Sequence, residues 1–117
     1  MSDRIPQMVK EKESDILRTI MDGLAAKRIW HVRMNSGAMR WGKNRMMFFG
    51  RKGMADILAI RWRVQNRVVS FHHVIWIECK TRTGKQSPEQ AAFQAEVENE
   101  GHCYLLVRSW EELEAKL

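Results

Sequence analysis

The sequence predicts an α/β domain built on a mixed β-sheet flanked by helices, and three observations predict it. Apolar residues recur at helical spacing near the N-terminus. Two apolar segments of strand character occupy the middle of the chain. A helix with a strong start signal then leads into a last apolar strand. At 117 residues the chain is long enough for one self-sufficient core and too short for two, so residues 1–117 form a single domain.

The first helix is expected over about Met8–Lys27, with Ile16, Leu17, Ile20 and Leu24 on one stripe and Gly23 late in it. Ile29–Met34 reads as a short strand closed by the turn signal Asn35-Ser36-Gly37. Residues 38–53, rich in Gly, Arg, Lys, Met and aromatics, are expected to form a mobile hairpin around Gly42-Lys43-Asn44. Asp56–Arg63 is a strand and Val64–Arg67 a turn. Val68–Lys80 is a longer strand or a pair with a break. Ser87, Pro88 and Gln90 make an S-P-x-Q start, with an N-cap, a proline at the first helical position and a capping-box partner. That helix stops at Gly101. Cys103–Arg108 is the final strand, and Ser109 caps a helix over Trp110–Lys116.

Composition narrows the class. With 44% hydrophobic and 29% charged residues the chain is globular, not disordered. No apolar run approaches the ~20 residues of a membrane span, and the N-terminus lacks a signal-peptide core. Two cysteines make no disulfide framework, so Cys79 and Cys103 are expected reduced, in the cytoplasm, as packing residues.

The net charge of +6 is unevenly spread. Residues 1–22 are −1. Residues 23–88 carry 14 basic and 2 acidic side chains, and residues 89–117 are −5. A basic middle between acidic ends suggests a polyanion-binding face, the alternative being a solvated basic surface.

Three acids break the pattern. Glu13 falls in the middle of the first helix's apolar stripe. Either the carboxylate meets a cation in a cleft, or it sits in a first turn favoured by the helix dipole. Asp56 and Glu78 are the two acids of the basic middle. Glu78 and Lys80 share one face at the end of an apolar strand. If the two strands are neighbours, Asp56 and Glu78 converge and offer hard oxygen ligands for Mg²⁺; otherwise they are ordinary ion pairs. Gln90 is explained by the capping box, yet its amide shares a helix face with Phe93 and Val97. The histidines lack metal-ligand spacing, and no P-loop, G-x-S-x-G or zinc pattern occurs. Met46–Phe49 is read as core or a subunit contact, with a wedge into DNA as the alternative.

Together these pieces resemble the PD-(D/E)xK nuclease superfamily, and within it the VRR-NUC (virus-type replication-repair nuclease) family. The matching segments are Glu13-x-x-Ile16, Arg33–Gly37, Gly53-Met54-Ala55-Asp56, Ile77-Glu78-Cys79-Lys80 and Ser87–Gln90, spanning roughly residues 11–113. Ala55 stands where the family name has proline. The resemblance implies a restriction-endonuclease-like αβββαβ core. It also implies Mg²⁺, or Mn²⁺ as a substitute, held by Glu13, Asp56, Glu78 and the backbone carbonyl of Cys79. Lys80 would act on the attacking water or the phosphate, supported by Gln90. The implied activity is structure-selective endonucleolytic cleavage of DNA, at branched duplex such as Holliday junctions, by a homodimer. A flap or nicking nuclease, or a binding module without catalysis, are the alternatives. Arg33, Asn35, Ser36, Arg40, Lys43, Arg45, Arg51, Lys52, Arg82 and Lys85 are the expected DNA contacts.

Overall fold

The computed structural model describes residues 11–34, 37–65 and 67–117. In chain order they form α1 (Glu13–Ala26), β1 (Trp30–Arg33), β2 (Gly37–Trp41), β3 (Arg45–Phe49), β4 (Ile57–Gln65), β5 (Val68–Cys79), α2 (Pro88–Asn99), β6 (Cys103–Val107) and α3 (Trp110–Glu114). Strands β1-β4-β5-β6 make a mixed four-stranded sheet, antiparallel except for the β5/β6 pair. The predicted αβββαβ core is therefore present, with β2 and β3 inserted as a separate antiparallel hairpin that reverses at Gly42–Asn44. No helix among the described residues is long and apolar enough to cross a membrane.

Alternation along the strands makes two packing layers. Ile57, Ala59, Ile75, Ile77, Cys79 and Val107 point to one side and bury Ile16, Leu17, Ile20 and Leu24 of α1 and Leu113 of α3. On the other side Phe93 and Val97 of α2 cover Tyr104, Trp76 and Leu106, with Ala55 and Met54 completing the cluster. Trp76 and Phe93 meet edge to face, ring centroids 5.0 Å apart.

Several boundaries differ from expectation. Helix α1 begins at Glu13, because Lys12 is extended and the Asp15 carboxylate accepts the Lys12 N–H at 3.3 Å; the expected start at Met8 lies outside the described residues. Gly23 lies inside α1 because the Trp110 ring packs flush on it; an added Cβ would come within 2.4 Å of the indole. The helix ends at Ala26, and just past it Arg28 is left-handed at φ 56°, with the Ile29 N–H returning to the Leu24 carbonyl. β4 continues through the predicted turn to Gln65 because its register with β5 shifts between Arg63 and Val64. The second long segment is one unbroken strand, Val68–Cys79. Both signals of the second helix hold: Ser87 Oγ accepts the Gln90 N–H, and Gly101 takes φ 80° just past its end.

Candidate metal centre

The antiparallel β4/β5 register pairs Ile57 with Ile77, so one step outward Asp56 stands opposite Glu78. Asp56 is held there by its own carboxylate, whose Oδ2 accepts the Cys79 N–H at 2.7 Å. Its carbonyl accepts the Met34 N–H at 2.7 Å, tying it to the end of β1 as well. Helix α1 lies along the sheet with its N-terminus at this same end, which delivers Glu13. One carboxylate oxygen each from Glu13, Asp56 and Glu78 lies within 4.8 Å of the other two. Glu13 occupies an exposed first turn, the second of its two alternatives, and its carboxylate lies near the two strand acids.

Glu78 is 1% exposed. Its Oε1 accepts from Gln90 Nε2 at 2.5 Å and lies 3.7 Å from Lys80 Nζ. Its Oε2 is buried with no hydrogen-bond partner among the described residues. Burial first, and then the Asp56 carboxylate, push Glu78 up to about 8, against the pull of Lys80. An ionised Glu78 therefore leaves a buried oxygen unsatisfied beside other carboxylates, a position that a proton or a cation must fill. Three hard oxygen donors with one orphaned atom fit a Mg²⁺-type ion. The Cys79 thiol does not compete as a ligand: burial, then nearby carboxylates, raise it above its ordinary range.

The capping box sets the orientation of Gln90. Its Oε1 accepts the Ser87 N–H at 2.8 Å, so the amide must present Nε2 to Glu78. The helix start and the support of Glu78 are thus one device.

Two residues to which the sequence assigned no role support the site. Gly53, at φ 87°, lies so close to the start of α2 that a Cβ would come within 2.4 Å of the Glu89 carbonyl. Its only sequence signal is its place three residues before Asp56. Arg108 Nη1 donates to the carbonyls of Thr81 (2.5 Å) and Gly84 (2.8 Å), holding the loop that follows Lys80. Gly84 in turn lies close to the Lys80 side chain. A cation within the acidic C-terminal segment was the available clue.

The basic candidates divide. Arg33 lines a cleft of about 160 Å³ with Glu13, Ser14, Leu17 and Asp56, at the carboxylates themselves. Lys43, Arg45, Arg82 and Lys85 are exposed. Arg51 pairs with Glu96 and lies over the Phe93 ring, and Lys52 meets Glu89 at 3.4 Å. These two cations tie residues 51–53 to α2, a role the expected DNA contact did not include. Asn35, Ser36 and the side chain of Arg40 lie outside the described residues. Met46 is exposed, so it is not core; the side chains of Met47, Phe48 and Phe49 lie outside the described residues.

No protein-family model matches the chain, and no curated protein matches it.

Proposed function

We propose that this protein is a divalent-metal-dependent DNA endonuclease of the PD-(D/E)xK type. Its reaction is phosphodiester hydrolysis at branched duplex, in replication, recombination or repair. It works as a cytoplasmic homodimer, with Met46–Phe49 as a subunit contact. The observation that carries the proposal is the convergence of Glu13, Asp56 and Glu78, one of which, Glu78, has a buried Oε2 without a hydrogen-bond partner among the described residues.

In this reading Glu13, Asp56, Glu78 and the carbonyl of Cys79 hold Mg²⁺ or Mn²⁺. Such an ion, when bound, supplies a water of lowered pKa and a counter-charge for the phosphate. Lys80 contributes a fixed ammonium beside the same oxygens and offsets charge that develops on the phosphate oxygens. Gln90 keeps Glu78 in one orientation through its donated hydrogen bond. Arg33, at the cleft, meets the phosphate that enters it. Lys43, Arg45, Arg82 and Lys85 position the flanking backbone without reading bases.

The test is cleavage of labelled junction, flap and linear duplex with and without Mg²⁺. Asp56→Asn is the informative variant: it keeps an acceptor for the Cys79 N–H and removes the charge. Metal-dependent cleavage by the wild type, lost in Asp56→Asn with DNA binding retained, supports the proposal. No cleavage in any divalent metal, with DNA binding intact, points to a binding module instead.

A further inference from the structure

Among the described residues, two hollows larger than the cleft at the carboxylates lie away from it. One of about 380 Å³ opens at the C-terminal end of α1, lined by Lys27, Arg28, Ile29, Ile60, Arg61 and Trp62. Its position follows from the sheet: β1 pairs with β4 only as far as Ile60, so Arg61 and Trp62 run on past the end of β1. Three of its six lining residues are cations and none is an acid. Trp62 is 62% exposed, and Trp30, opposite Ile60 across the β1/β4 pair, is 57% exposed. Trp62 lies two residues beyond Ile60, so the two indoles are diagonal neighbours on one face of the sheet. Arg28 takes a left-handed φ of 56°, a position usually left to glycine, at the rim of this hollow.

Large exposed indoles beside several cations suit a partner with flat apolar rings and a negative backbone. A second copy of this chain does not suit: its matching face would bring like charges together. We propose that this hollow is a subsite for an unpaired nucleic-acid strand, with bases stacking on Trp62, which lines it, and on Trp30 beside it, and phosphates met by Lys27, Arg28 and Arg61. Lys27 already pairs with Glu114 at 3.2 Å, but both side chains are near half exposed, and a surface pair of that kind yields readily to a polyanion.

The placement deepens the nuclease reading, on which it rests, by specifying the substrate. Lys27 is one helix length from Glu13, and Trp62 is six residues along an extended strand from Asp56. Both rulers put the hollow roughly 20 Å from the carboxylates. At about 3.4 Å per base pair that is about six pairs of duplex. The substrate is then a duplex whose strands part about six pairs from the cut.

The experiment measures anisotropy of labelled oligo(dT) of about 20 nucleotides, and of a blunt duplex, with Ca²⁺ in place of Mg²⁺. Trp62→Ala should weaken oligo(dT) about tenfold while changing duplex binding less than about twofold, since only free bases can stack. Trp62→Phe should restore oligo(dT) binding to within about twofold, separating stacking from altered folding. Arg61→Ala should reduce the log–log salt slope by about one. Unchanged oligo(dT) binding in Trp62→Ala, or equal losses on oligo(dT) and duplex, would overturn the subsite. Metal-dependent cleavage alongside that result would leave the nuclease reading in place. Trp62-dependent oligo(dT) binding without any cleavage would support the subsite and remove the nuclease.

Discussion

Gln90 donates through Nε2 to Oε1 of Glu78 at 2.5 Å, while its own Oε1 accepts the Ser87 N–H that closes the start of α2. One side chain therefore joins a helix cap to a buried carboxylate. Gln90→Glu keeps the cap acceptor and sets a carboxylate against Glu78. Gln90→Ala loses both bonds. Gln90→Ala should lower stability by about 1–2 kcal/mol through the cap. Both variants should weaken Mn²⁺ binding about 10–100-fold, as outer-shell changes do. Calorimetric titration with Mn²⁺ and thermal melts check the pair.

The metal-free protein should lose stability as the pH rises. Folded, Glu78 keeps its proton up to about 8, whereas an unperturbed glutamate ionises near 4.5. Between those values the folded state binds more protons than the unfolded one, so unfolding becomes easier with increasing pH. Glu78→Gln should flatten that dependence. Tm measured in chelator from pH 5 to 8 reads it directly, and added Mg²⁺ should recover stability most at the alkaline end.

Gly53→Ala should damage both the fold and the site. The new Cβ would meet the Glu89 carbonyl within 2.4 Å, at a φ of 87° that side chains rarely adopt. A loss of at least about 2 kcal/mol in denaturant melts is expected, together with weaker metal binding because α2 carries Gln90.

Gly23→Ala reverses a familiar sign. In an open helix the change adds about 1 kcal/mol of stability. Here the Trp110 ring occupies the space, at 2.4 Å, so the variant should be less stable by about 1–3 kcal/mol. Pairing it with Trp110→Ala should give a double mutant more stable than the sum of the two single losses.

DNA binding should weaken steeply with salt, and the surface cations should contribute unequally. Arg82→Ala with Lys85→Ala should flatten the log–log slope by up to about two units. Arg51→Ala with Lys52→Ala should flatten it less, since Glu96 and Glu89 already serve as their counter-charges. Anisotropy titrations across a salt series separate the two pairs.

Local signals sufficed for most of the fold. The stripe of Ile16, Leu17, Ile20 and Leu24, the Ser87–Gln90 box, the stop at Gly101 and the alternation around Glu78 each act within a few residues, so the sequence itself determines them. It also singled out Glu13, Asp56, Glu78 and Lys80, because charge inside an apolar pattern is visible without coordinates. The tertiary structure decided what depends on distant segments meeting. The β4/β5 register set Asp56 opposite Glu78, and the lie of α1 along the sheet brought up Glu13. The cap oriented the Gln90 amide. The ion pairs of Arg51 and Lys52 with α2, the hold of Arg108 on the Thr81–Gly84 loop, and the hollow beside Trp62 leave no local trace. Periodicity and capping are short-range effects written into neighbouring residues, whereas register and packing exist only once segments far apart in the chain share the same space.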